Sequence, residues 1–143
     1  GMAAQIAGEV MSESIEHLTK LGRNLSGSLL RLIPDTILTG DPVNRLPGHV
    51  SLCFRYVEGE SILLMLDQLG IMASSGSACT SGSLDPSHVL LAIGLPHEIA
   101  HGSVRLSLGR TNTQEDVDYV VQVLPGIIER LRMMSPMTGE GVM

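Results

Sequence analysis

Cys79 is the residue best placed by its neighbours to do chemistry. It stands in Ser74-Ser-Gly-Ser-Ala-Cys79-Thr-Ser-Gly-Ser83, a run of small polar residues without apolar period, which reads as a loop. A free cysteine is more often buried as a small hydrophobe. Among turn-forming residues a thiol is exposed, able to act as thiolate and to travel to its target. The residues alone leave two readings open: a nucleophile on a loop, or a flexible loop that happens to carry a cysteine. Arg105 is the second candidate. It lies in the apolar run Val104 to Leu108, on the face it shares with Ser103 and Ser107. A guanidinium fork borne on a strand suits bidentate capture of a carboxylate; a pairing with a nearby Glu or Asp at the sheet edge is the competing reading.

Four further features carry less. His97-Glu-Ile-Ala-His101 matches the H-E-x-x-H pattern of zinc proteases, which needs a stable helix to put both histidines on one face. Pro96 precedes it and Gly102 leads straight into a strand, so at most one turn fits and no metal site is expected. Cys53, between Leu52 and Phe54, reads as a core or sheet-face cysteine. His17, His49 and His88 have no partner at a telling spacing, although His49, opening a strand, could face a cleft. Lys20 is the one lysine of the chain, so chemistry that needs a lysine Schiff base has one poor candidate.

These groups need a scaffold, and the hydrophobic periods outline one. Residues 3 to about 31 repeat apolar positions at the helical period, as one long helix or two joined ones, with Gly22 and Gly27 weakening the middle and Pro34 ending it. Ile37 to Thr39 is a short apolar run before a loop over Asp41 to Gly48. His49 to Val57 alternates as a strand, with Val50, Leu52, Phe54 and Tyr56 on one face. Glu60 to Leu69 is a helix closed by Gly70. Ile71 to Ala73 is a short strand, and Ser74 to Leu84 the cysteine loop. Asp85 and Pro86 start a helix that runs to about Ile93, and Ser103 to Leu108 is a strand. Thr113 and Asp116 form a capping box for a last helix to about Met133, despite Pro125 and Gly126. The tail, 135–143, is frayed. The irregular interleaving predicts a single α/β domain of the α+β type over 1–143, with one small mixed or antiparallel sheet and helices packed on it.

The 143 residues suffice for a real core. That core must be aliphatic, because Phe54, Tyr56 and Tyr119 are the only aromatic residues. The net charge of -6 argues against nucleic acid as a partner. No stretch approaches the ~18 apolar residues of a membrane span, and no secretory signal opens the chain. Two cysteines in such different settings are not expected to pair, which makes a reducing, cytoplasmic location the default.

Taken together, the cysteine run continued through Leu84-Asp-Pro-Ser-His-Val89, with Arg45-Leu-Pro-Gly-His49, Tyr56-Val-Glu-Gly-Glu-Ser61, Ala100-His-Gly-Ser-Val-Arg-Leu-Ser-Leu-Gly-Arg110 and Leu131-Arg-Met-Met-Ser-Pro136, resembles the pyridoxal-phosphate-dependent cysteine desulfurases of the class V aminotransferase superfamily. The resemblance covers nearly the whole chain, to the C-terminal, smaller domain of such enzymes. It implies that Cys79 attacks the sulfur of cofactor-bound L-cysteine, carries it as a persulfide to a sulfur-acceptor scaffold protein, and that alanine is released. It implies that Arg105 binds the substrate carboxylate and that His101 is a family position beside the arginine strand. One departure is His49, where asparagine is common in the family. Pyridoxal phosphate is then expected in the full-length enzyme, a homodimer, with the Schiff-base lysine supplied by the larger domain. No cofactor is expected on this piece alone, which is expected to be inactive. Two variants stay open: a stand-alone sulfur carrier, and a selenocysteine lyase domain.

Overall fold

The computed structural model of the chain describes residues 1–75 and 86–135, so Cys79 and Asp85 lie outside the described residues. The long apolar period becomes one helix, α1 (Met2–Leu32), not two. Gly22 does not break it, because that glycine is buried where the helix runs against the next loop: a Cβ there would stand 3.4 Å from the Gly48 nitrogen. A close approach has overridden a poor intrinsic propensity. Two short elements follow, β1 (Thr36–Leu38) and β2 (His49–Phe54), then α2 (Gly59–Gln68). Beyond the undescribed segment come α3 (His88–Ala92), α4 (His97–Ala100), β3 (Ser103–Ser107) and α5 (Gln114–Met134).

The three strands form one antiparallel sheet in the order β1-β2-β3. Val50 pairs with Leu106 and Leu52 with Val104, while on the other face Ser51 pairs with Arg105 and Cys53 with Ser103. Alternation along the strands therefore sorts the two faces. Val50, Leu52, Phe54, Val104 and Leu106 meet Leu25 and Leu29 of α1, Ile62 and Leu66 of α2, and Leu124 and Ile128 of α5 in the main core. It is aliphatic except for Phe54, as the composition requires. Burying each such side chain contributes about 1.5–3 kcal/mol. The opposite face is covered at one end only: Cys53, Leu90 and Ala100 make a second cluster with Ile37, Leu91, Leu95 and Ile99 from β1 and the α3–α4 region. The other end, where His49, Ser51 and Arg105 stand, borders a cleft among the described residues.

Three boundaries differ from expectation. The strand from His49 stops at Phe54 and not Val57, because Arg55 and Tyr56 turn away. Arg55 N–H donates to the Asp35 carbonyl at 3.0 Å, and Tyr56 takes a left-handed φ of 68°. Arg132 pins this corner, donating from Nε to the Arg55 carbonyl (3.1 Å) and from Nη2 to the Pro34 carbonyl (2.8 Å). Ile71 to Ala73 is not a strand. The α2 terminus closes as a Schellman motif, with Gly70 N–H to the Asp67 carbonyl (2.9 Å) and Ile71 N–H to the Leu66 carbonyl (3.0 Å), and the chain reaches the sheet only at Ser74, in an isolated bridge with Arg105. The helix after Pro86 begins at His88 with Ser87 as its N-cap, and no side chain caps it.

The last helix has the predicted capping box. Thr113 Oγ1 accepts from Asp116 N–H (3.3 Å), and the Asp116 carboxylate accepts from Thr113 N–H (2.9 Å). α5 also runs through Pro125 without ending. Leu124, Ile127 and Ile128 are buried around it, so packing holds the turn that has lost a backbone hydrogen bond.

Candidate functional site

Arg105 owes its position to the strand pairing around it. Its backbone N–H and C=O go to Ser74, on the side away from β2. The Ser51 carbonyl likewise turns from β3 to accept from Thr39 N–H at 3.0 Å. Ser51 and Arg105 therefore form the non-hydrogen-bonded kind of antiparallel pair, in which the Cα atoms stand about 4.5 Å apart and the side chains come closest. Both point to the open end of the outer face.

There they border a cleft of about 320 Å3 whose walls include Thr39, Asp41, Arg45, His49, Ser51 and Arg105. Ser87 and Leu90 close it from the α3 side. Arg45 enters from the loop before β2, with Nε donating to the His49 carbonyl at 3.2 Å and Nη1 to the Asp41 carbonyl at 3.5 Å. The Asp41 carboxylate is committed to its own loop, accepting from Val43 N–H (2.7 Å) and Asn44 N–H (2.5 Å). The Asn44 bond, with that of Val43 next, holds its pKa below the ordinary carboxylate value. Among the described residues of the cleft wall, Asp41 is the acidic group, and its carboxylate is thus spent on backbone and not on Arg105. Instead Arg105 Nη2 donates to Ser74 Oγ at 3.3 Å.

His49 is half-buried between the two arginines. Burial first, then the charges of Arg45 and Arg105, holds its pKa below the ordinary 6.5, so it stands neutral at neutral pH. Thr39 Oγ1 lies 2.7 Å from Ser51 Oγ and 3.2 Å from the Ser51 carbonyl, and bonds to both. Two guanidinium groups, a neutral imidazole and a hydroxyl converge on this space. Such a set has the chemistry to suit an anion, and planar forks match the geometry of a carboxylate.

The remaining sequence candidates fall elsewhere. Cys53 is fully buried and its thiol is pushed up to about 11 by burial, so it is the inert core cysteine it was read as. His97 opens the single helical turn α4 and His101 caps its end, with ring centroids 5.7 Å apart and tilted by 59°. Among the described residues no three His, Cys, Asp or Glu gather as a metal site would require. Lys20 is exposed on α1, the helix that packs on the core face of the sheet, away from Arg105. With no amine in the cleft, the described residues do not by themselves fit pyridoxal phosphate. Sequence reasoning passed over Arg45, Ser74 and the Thr39–Ser51 pair as site residues. The alternation of β2 was the available signal, since it sets Ser51 beside His49 on the face of Arg105.

The chain matches the family described as aminotransferase class-V over residues 2–120. A protein named cysteine desulfurase IscS from Methanosarcina thermophila is 55% identical over 138 residues, taking in 96% of this chain and 34% of that protein. Cysteine desulfurase NifS from Azotobacter vinelandii is 47% identical over 136 residues, 95% of this chain and 34% of its own length. A solved NifS-like protein from Rickettsia africae superposes with a TM-score of 0.78 at 27% identity, over 90% of this chain and 32% of that one. The chain thus spans about a third of the length of the relatives it matches. No helix among the described residues is long and apolar enough to cross a membrane. The chain belongs to the aminotransferase class-V family.

Proposed function

We propose that this class-V chain serves as the C-terminal domain of a pyridoxal-phosphate-dependent cysteine desulfurase. The observation that carries the reading is the arginine cleft: Arg105 stands with no carboxylate partner among the described residues of its wall, on a chain 55% identical to a protein named cysteine desulfurase. Arg105 takes the carboxylate of L-cysteine. Cys79, five residues beyond Ser74 in the chain, takes its sulfur. The overall exchange balances as Cys79–SH plus L-cysteine giving Cys79–S–SH plus L-alanine. The substrate carbon–sulfur bond breaks, a sulfur–sulfur bond forms, and the carbon that loses sulfur gains a proton. The persulfide then passes its outer sulfur to a thiol of an acceptor scaffold protein.

Pyridoxal phosphate supplies the electron sink such chemistry uses, and residues outside this chain hold it. The full-length enzyme is a homodimer in this reading, and the 143-residue chain alone has no turnover. The test is to mix the purified chain with pyridoxal phosphate and L-cysteine, scan for a visible cofactor band, assay alanine and sulfide, and map Cys79 by mass. No band, no alanine and an unmodified Cys79 are expected. Turnover by the isolated chain would overturn the account, because Lys20 or another group would then be doing what the reading denies it. A full-length protein that keeps its persulfide after Cys79→Ser would remove the role given to Cys79.

A further inference from the structure

We propose that Ser74 is a positioning residue of this site: its hydroxyl decides which edge of the Arg105 guanidinium is offered to a carboxylate. The inference rests on the reading of Arg105 as the carboxylate anchor, and goes beyond it.

The two residues are joined by three hydrogen bonds. Ser74 N–H donates to the Arg105 carbonyl at 3.0 Å, Arg105 N–H donates to the Ser74 carbonyl at 2.6 Å, and Arg105 Nη2 donates to Ser74 Oγ at 3.3 Å. The two backbone bonds form an isolated bridge and not part of a longer ladder, so among the described residues this contact is what attaches Ser74 to the sheet. The hydroxyl can act only as acceptor toward the arginine, because its own hydrogen goes to the Ser75 carbonyl at 3.0 Å. A serine serving only its local turn would account for that last bond but not for the guanidinium.

A guanidinium has two bidentate edges that use Nη2, one shared with Nε and one with Nη1. Nη2 carries one N–H on each edge. Giving one of them to Ser74 Oγ occupies that edge and leaves the other without a partner among the described residues. The long arginine side chain, free to turn on its own, is thereby fixed with one fork for the ligand. The same serine is five residues ahead of Cys79. The root of the segment that bears the proposed nucleophile and the anchor for the substrate carboxylate are therefore referenced to a single residue pair. A substrate that must present a carboxylate to one and a sulfur to the other needs that common frame.

The experiment uses the 143-residue chain with L-alanine as the carboxylate probe, followed through the Arg105 Nε–Hε resonance by NMR. Ser74→Ala is expected to weaken binding about two- to ten-fold, the size of one ordinary hydrogen bond, with an unchanged thermal melt. Ser74→Thr, which keeps the hydroxyl, is expected to restore it. In an Arg105→Lys background, where there are no edges to choose between, Ser74→Ala is expected to have no further effect. An unchanged affinity in Ser74→Ala, with Arg105→Lys still weakening the probe, would overturn the positioning role and leave the arginine reading intact. A probe indifferent to Arg105→Lys would overturn that reading, and this proposal with it.

Discussion

Arg45 and His49 are joined through the backbone: Arg45 Nε donates to the His49 carbonyl at 3.2 Å, which keeps one guanidinium beside an imidazole that Arg105 flanks from the neighbouring strand. Protonating His49 therefore adds a third positive charge to a partly buried site. Its folded pKa lies below the unfolded value of 6.5. The stability this contributes is whole above pH 6.5 and is lost as pH falls through the folded pKa. Asp41 and Asp116 also have lowered values, but from 3.8, so their contribution is lost only in a more acidic window. We expect the urea midpoint to fall between pH 7.5 and pH 5, and the fall to shrink in His49→Asn. Equal falls in both proteins would refute the assignment.

Carboxylate affinity should divide unequally between the two arginines. Arg45 spends Nε and Nη1 on backbone carbonyls, while Arg105 gives the described residues one side-chain bond, to Ser74. Arg105→Ala is expected to weaken L-alanine binding about ten-fold or more, as loss of a charge-assisted bond does. Arg45→Ala should weaken it only a few-fold, about the size of a neutral bond. Calorimetry or NMR titration of both variants gives the order, and a larger effect at Arg45 would reverse the roles.

Cys53 should be chemically silent while the protein is folded. In a Cys79→Ser background, iodoacetamide at pH 8 is expected to leave Cys53 unmodified until urea unfolds the chain, as mass spectrometry would record. The raised thiol pKa has a second consequence. The folded state holds the proton more tightly than the unfolded state, so its stabilising contribution is complete below pH 9.0 and disappears toward about pH 11. Cys53→Ala should flatten that alkaline limb.

Gly102 has no room for a side chain. A Cβ there would run into the Phe54 carbonyl oxygen, in the same place where Phe54 N–H donates to the Gly102 carbonyl at 2.9 Å. Gly102→Ala must push β2 and the α4–β3 turn apart. We expect it to cost about 3 kcal/mol or more, read as a much lower melting temperature or as insoluble protein. Gly126→Ala, an exposed site inside α5 where nothing lies within 4 Å, is the control and should stabilise by about 0.5–1 kcal/mol, since alanine is the better helix former.

Much of this molecule was legible in its residues, and the exceptions share a cause. The alternation from Val50 to Phe54, the run from Val104 to Leu106 and the Thr113–Asp116 box are local patterns that the packing reinforces, and they were read correctly. Ile71 to Ala73 has the composition of a strand, yet only Ser74 reaches a pairing partner, 31 residues further on. Tyr56 continues the alternation on paper, but the turn toward Asp35, clamped by Arg132 from the far end of the chain, takes it out of the sheet. The site follows the same rule. Arg105 could be singled out from its strand, whereas Arg45 is drawn in by a loop and Ser74 by a single bridge, contacts between segments that no local spacing encodes.

The main core is closed by the two most distant helices of the chain. α1 and α5 pack on one another beneath the sheet, and His17 bonds the Asn112 carbonyl at 2.9 Å just ahead of α5. Leu25 and Leu29 cannot be fully covered until Leu124 and Ile128 have arrived. During synthesis the N-terminal helix must therefore wait, with its apolar face uncovered, for about a hundred residues to emerge, or about 5–20 seconds at ordinary elongation rates. Contacts so far apart in sequence also slow the search for the native state. The arginine cleft inherits this order: its β3 wall comes late, so the cleft cannot form until most of the chain has emerged.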